Sequence, residues 1–224
     1  MLVANWMTPE VISITPDRSM MKASKIMKDK NISCLPVVDE DGKLVGIVSD
    51  RDIKEASPSK ATTLDMHELY YLLSEVKVKD IMTKKVVTMR EDETVEKAAT
   101  LMLEGKFGSV PVVDADGRVV GIMTDSDVFK VLVEISGVYE GGNQVCLQIG
   151  TGPGTLSPVL AFLKDHNARI MNIMTHNVPE TEGMKNVYIR IRDMEKPDLK
   201  RLKADMEEQF NVLYWAVDPV HRVV

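Results

Sequence analysis

Apolar residues in the first half of the chain recur in two matching rhythms. Met20, Ala23 and Met27 stand at i, i+3 and i+7, and Val95, Ala98 and Met102 repeat the arrangement later, each set marking one apolar helical face. Ser19 and Thr94 precede these faces, where a side-chain oxygen would cap the first helical N–H groups. A short apolar strand ending in Pro-Val-Val-Asp follows each helix, at 36–39 and 111–114. Gly-bearing turns at 39–42 and 114–117 then lead into second apolar strands at 44–48 and 119–123, so each unit contains a β-hairpin. Asp52 and Asp127 open a further helix in each.

The two rhythms are one repeat. Residues 6–53 and 81–128 align at a constant offset of 75 without a gap, and about 18 of the 48 pairs are identical. A unit of roughly 50 residues closes its own core poorly, so the two are expected to pack face to face. Between them, residues 64–76 are predicted to form a packing helix with Leu69, Leu72, Leu73 and Val76 on one side, preceded by a Ser57-Pro58-Ser59 loop.

After a Gly-rich linker at 137–142 the pattern changes to strand, helix, strand, strand, helix, strand. The strands are placed at 144–149, 169–176, 186–192 and 212–217, and the helices at 156–166 and 197–209. This order predicts a ferredoxin-like α+β sandwich over 143–224. The expected domains are thus repeat 1 at 1–60, an inter-repeat helix at 61–79, repeat 2 at 80–136, the linker, and the C-terminal domain.

Charge divides along the same line. Residues 1–142 hold 18 basic and 24 acidic side chains, whereas 143–224 hold ten of each, so the net charge of −6 belongs to the first part. An acidic chain without a basic stripe is not built to coat nucleic acid. Cys34 and Cys146 are the only thiols, with no neighbouring Cys or paired His, which argues against a disulfide framework and a zinc site and directs the expectation to the cytosol. The N-terminal segment lacks a basic region followed by an apolar stretch, and no apolar run approaches the roughly 20 residues of a membrane span.

Chemistry concentrates where the second strand of each repeat meets the next helix, at Gly46-Ile47-Val48-Ser49-Asp50-Arg51-Asp52 and Gly121-Ile122-Met123-Thr124-Asp125-Ser126-Asp127. Helix-start N–H groups favour an anion. Ser49 or Thr124 can donate to a phosphate, and Asp52 or Asp127 can accept from a ribose diol. Arg51 adds a phosphate contact in the first repeat, where the second has Ser126. The competing structural reading is that the hydroxyl and the acid cap the helix.

The tandem pattern Met-Thr, Pro-Val-Val-Asp, Asp-Gly and Val-Gly-Ile followed by Ser or Thr and Asp-x-Asp resembles a pair of CBS domains, the Bateman module, over about residues 1–135. The resemblance implies small sheets packed by helices, with clefts for adenine nucleotides such as AMP, ADP or ATP acting as regulatory ligands. Asp52 and Asp127 would hold ribose, Ser49, Arg51 and Thr124 phosphate, Thr8 and Thr83 would line the clefts, and the backbone at 32–35 and 107–110 would frame adenine.

Gly150-Thr151-Gly152-Pro153-Gly154 is not a dinucleotide fingerprint, because its third Gly comes early and no acid lies on the next strand. The segment 152–156 followed by Ile170 and Ile173 resembles an ACT domain, a regulatory module, with Gly154, Arg169 and Asn172 as ligand contacts. Thr151-Gly152 and Arg169 depart from the pattern that serves amino-acid ligands, so a purely dimer-forming role stands beside it. CBS repeats followed by an ACT domain are similar in architecture to the acetoin-utilisation (AcuB) family.

Enzyme signatures are absent. His67, His166, His176 and His221 have no metal-ligand spacing, and no nucleophile or phosphate-loop motif occurs. The 15 Met residues suit core filling, and Trp6 and Trp215 suit packing. The reading is a non-catalytic sensor without a metal, a homodimer acting in trans on a separate metabolic enzyme or regulator, with no nucleic-acid or membrane partner. The alternatives are an enzyme of acetoin or related carbon metabolism and an assembly scaffold with vestigial clefts.

Overall fold

The computed structural model describes residues 1–57, 75–179 and 181–217. They form two compact units, Met1–Phe129 and Lys130–Val224. The predicted inter-repeat helix, with Leu69, Leu72 and Leu73, lies outside the described residues.

In the first unit the periodic segments become α1 (Met20–Lys30), the hairpin β1 (Cys34–Val38) and β2 (Leu44–Ser49), and α2 (Asp50–Ala56). A short helix, α3 (Val78–Ile81), precedes the second copy, which comprises α4 (Val95–Gly105), β3 (Ser109–Val113), β4 (Val119–Thr124) and α5 (Asp125–Ser136). Both predicted caps form: Ser19 Oγ accepts from the Lys22 N–H at 3.3 Å, and Thr94 Oγ1 from the Lys97 N–H at 3.2 Å. Each hairpin turns on an aspartate, Asp39 or Asp114, whose Oδ1 accepts from two backbone N–H groups further along the turn. Gly42 and Gly117 follow with φ of +78° and +81°, a region that a Cβ disfavours.

The repeats exchange segments. The N-terminal residues pair with the second copy, Val3 N–H donating to Glu93 O at 2.9 Å and Thr8 N–H to Ile122 O at 2.9 Å. The residues before the second copy pair with the first, Val78 N–H donating to Arg18 O at 2.8 Å and Thr83 N–H to Ile47 O at 2.9 Å. Val78 is accordingly buried in the first core, with Ile14, Ala23, Met27, Leu35, Val37 and Val48. Val3 is its buried equivalent in the second copy. Each of these bonds recurs with both residues moved by the repeat offset, so the unit has an internal two-fold.

In the second unit β5 (Asn143–Gly150), α6 (Ser157–Asp165), β6 (Ile170–Asn177), β7 (Met184–Ile191), α7 (Lys196–Gln209) and β8 (Val212–Val217) appear in the predicted order. The sheet runs β6-β7-β5-β8, all neighbours antiparallel, so the first and third strands are central. Val145, Leu147, Ile149, Val187, Ile189 and Ile191 face Phe162 and Leu163 of α6 and Leu202 and Met206 of α7, giving one sheet covered on one face by two helices. The expected linker at 137–142 packs within this unit: residues 138–140 form a 3-10 turn, and Arg190 donates to Gly141 O at 3.3 Å. The last turn of α5 also belongs here, since the Asn172 amide donates to Ile135 O.

Candidate functional site

The segment exchange decides which predicted residues meet. Thr83 pairs with Ile47 beside Ser49, and Thr8 pairs with Ile122 beside Thr124, so each Met-Thr step serves the strand-helix junction of the other repeat. The glycines of that strand make the approach feasible. A Cβ on Gly46 would stand 2.5 Å from the Met82 sulfur, and one on Gly121 would stand 2.2 Å from the Met7 sulfur.

Two cavities result. One, of about 320 Å³, holds Ser49, Arg51, Asp52 and Thr83 against the chain at Phe107, Gly108 and Ser109. The other, of about 710 Å³, holds Thr8, Thr124 and Ser126 against Ile32, Ser33 and Cys34. Of the predicted backbone frames 32–35 and 107–110, the first three residues of each therefore face the junction of the opposite repeat, while Leu35 and Val110 are buried in the core. Both volumes fall in the range of small-molecule pockets.

At the junctions the hydroxyl and the acid form a box. Ser49 Oγ donates to Asp52 Oδ2 at 2.6 Å, the Ser49 N–H donates to the same oxygen at 2.7 Å, and the Asp52 N–H donates to Ser49 Oγ at 3.3 Å. Thr124 and Asp127 repeat this at 2.6, 2.9 and 3.2 Å. The capping reading is thus realised in both copies, and the hydroxyl protons are engaged inside the box. Both bonds to each acid end on Oδ2, which leaves Oδ1 to accept from a ligand. Because α2 has only seven residues, positive charge near the smaller cavity comes chiefly from side chains. Arg51 is joined there by Lys85 and Lys106, which the sequence reading did not single out. A position-by-position comparison of the repeats would have found both, since their equivalents are Glu10 and Asn31.

Asp50, on the rim of both cavities, bonds Lys54 Nζ at 2.6 Å, and that contact holds its carboxyl below the usual range. Cys34 borders both cavities as well, and burial pushes its thiol up. Among the described residues no group of three or more His, Cys, Asp or Glu could hold a metal ion, and no helix is long and apolar enough to cross a membrane.

The C-terminal candidates separate. Arg169 and Asn172 lie at the end of the sheet where β5 begins, whereas Gly154 follows the end where β5 finishes. Eight residues of extended strand put roughly 25 Å between those ends. Asn172 is also bonded to the backbone of Ile135. One protomer therefore does not gather the three residues into a single site.

The CBS domain model matches residues 3–59 and 78–134, just over half of the chain. The chain belongs to the CBS-domain family. Its CBS pair is similar to a homoserine O-acetyltransferase of Methanohalobium evestigatum, 35% identical over 132 residues, 59% of this chain and 24% of that protein. The chain thus spans about a quarter of the length of that curated relative. It is similar to CBSX2 of Arabidopsis thaliana in complex with AMP, 36% identical, covering 60% of this chain and 98% of that one with a TM-score of 0.50. It is also similar to a protein assigned to acetoin utilization (AcuB) from Vibrio cholerae, 27% identical, covering 62% and 94%, with a TM-score of 0.52.

Proposed function

We propose that this CBS protein is a non-catalytic regulator that binds adenine nucleotides in its two cavities and acts in trans on a metabolic enzyme or regulator. The carrying observation is a pair of cavities related by the repeat, each joining the junction hydroxyl of one repeat, Ser49 or Thr124, to the Met-Thr step of the other; Asp52 lines the smaller cavity itself, and Asp127 bonds the Thr124 that lines the larger. Oδ1 of Asp52 or Asp127 would accept from ribose hydroxyls, and Thr83 or Thr8 would contact the phosphate end. Ser49 and Thr124 would hold the acids in place and could donate to a phosphate only by leaving the box. The AMP complex of the similar CBSX2 supports this ligand class.

Binding would regulate by favouring one arrangement of the two repeats, through unequal affinity for their states. The C-terminal unit, read as an ACT-type domain, would transmit that change or pair two copies into a homodimer. The likeness to the AcuB structure supports a link to acetoin catabolism.

A thermal-shift series with AMP, ADP, ATP and S-adenosylmethionine tests the reading. A ligand at about 100 times its dissociation constant stabilises the fold by roughly 2.7 kcal/mol. That shift should shrink in Asp52→Ala or Asp127→Ala. No response to any adenosyl compound would overturn the sensor reading, and so would turnover by the isolated protein.

A further inference from the structure

The cavities share a set of equivalent lining positions, and at three of these the charge differs. Lys85, Lys106 and Arg51 on the smaller cavity correspond to Glu10, Asn31 and Ser126 on the larger. Three cations thus stand against one carboxylate. Asp50 lines both cavities, beside Asp52 in the smaller and Asp125 in the larger, so these acids do not alter the contrast. The larger cavity also reaches Lys28 and Lys54. Lys54 is engaged by Asp50, and Lys28 lines that cavity together with Glu10.

Lys106 supplies a second, independent observation. It and Asn31 end α4 and α1 in the left-handed region, with φ of +56° and +52°. Asn adopts that conformation readily, whereas Lys does so at a steric cost. Residues held in such backbone concentrate where function maintains them. Lys106 lines the cavity that also holds Arg51 and Lys85.

We infer that the two cavities sort adenosyl ligands by charge. The smaller cavity, lined by Asp52, takes an adenosine di- or triphosphate, and the larger, lined by Thr124, takes an adenosyl compound whose 5′ substituent is uncharged or cationic. This rests on the adenine-nucleotide reading and divides it between the two sites. Three cations gathered at one small cavity lie within about a Debye length of a bound polyphosphate, so their attraction persists at physiological salt and weakens as salt is raised. In the larger cavity Glu10 would repel the same polyphosphate and attract a sulfonium.

Calorimetric titration of the full chain with ATP and with S-adenosylmethionine tests the sorting. ATP binding should vanish in Asp52→Ala and persist in Asp127→Ala, with the opposite result for S-adenosylmethionine. Lys85→Glu should weaken ATP by about tenfold or more, because it reverses a charge beside the phosphates. Lys106→Asn should weaken ATP several-fold without lowering the melting temperature, since Asn suits the left-handed position; a purely structural lysine would leave the ATP affinity unchanged. Glu10→Lys should weaken S-adenosylmethionine and raise the ATP stoichiometry towards two. ATP affinity unchanged by Lys85→Glu, or lost in Asp127→Ala instead of Asp52→Ala, overturns the sorting. If AMP or adenosine binds but ATP and S-adenosylmethionine do not separate between the cavities, the sorting fails and the nucleotide reading survives. If no adenosyl compound binds, both fall.

Discussion

Cys34 and Ser109 occupy the same position in the two repeats and touch each other, Sγ to Oγ at 3.0 Å. The internal two-fold axis therefore passes between them. Cys34 borders both cavities, so the axis is also a shared wall. Cys34→Leu should overpack this wall, costing about 1–3 kcal/mol of stability. It should weaken ligand binding in both cavities together. Urea denaturation and titration of each cavity check the two effects; loss confined to one cavity would contradict the shared wall.

The exchanged Met-Thr steps press on both glycines. A Cβ on Gly46 would stand 2.5 Å from the Met82 sulfur and 3.1 Å from the Thr83 carbonyl, and one on Gly121 would stand 2.2 Å from the Met7 sulfur. Gly46→Ala and Gly121→Ala should therefore each destabilise the fold, by up to about 3 kcal/mol. Shortening Met82 in the Gly46→Ala background should recover only part of the loss. A double-mutant cycle in urea measures that coupling.

The boxes at Ser49–Asp52 and Thr124–Asp127 are helix caps before any ligand arrives. Ser49→Ala and Thr124→Ala should each cost about 1 kcal/mol in the ligand-free protein. Chemical denaturation without nucleotide gives this number. An unchanged midpoint would mean that the boxes carry no structural load.

A pH effect belongs to the second unit. His166 presents Nε2 to Asp205 Oδ2 at 2.9 Å and Nδ1 to Phe162 O at 3.0 Å, and both acceptors are satisfied at once only by the imidazolium. The Asp205 hydrogen bond first, then the Phe162 carbonyl, holds the pKa above its usual value of 6.5. Because the folded pKa is raised, this stabilisation is complete below the unfolded value and fades as pH climbs through the folded one. The pair is partly exposed, so screening limits the effect to about 1 kcal/mol or less. Unfolding free energy measured from pH 5 to 9 should fall across that window in the parent and stay flatter in His166→Ala.

The repeat, its helical faces and hairpins, and the order of the C-terminal strands were legible because they rest on local periodicity and turn chemistry. Met20, Ala23 and Met27 declare a face wherever their helix packs. Which copy receives Thr8 was not legible, because identical strands offer the Met-Thr step two equivalent partners and only the three-dimensional path chooses. Lys85 and Lys106 escaped notice for another reason: exposed lysines follow no hydrophobic period, and their meaning lies in contrast with Glu10 and Asn31. Gly154 and Arg169 were grouped by resemblance, and strand direction then set them at opposite ends of the sheet.

The exchange of Val3 and Val78 between the copies has a bearing on ancestry. Each repeat as written along the chain lacks the piece that completes its own core, because that piece is attached to its twin. A lone repeat could complete itself only by trading arms with a second molecule, as a swapped dimer whose assembly depends on concentration. Joining two copies in one polypeptide turns that trade into an intramolecular event at high effective concentration. Within one polypeptide the two copies need not stay identical, and a lysine on one side of the axis stands where a glutamate stands on the other.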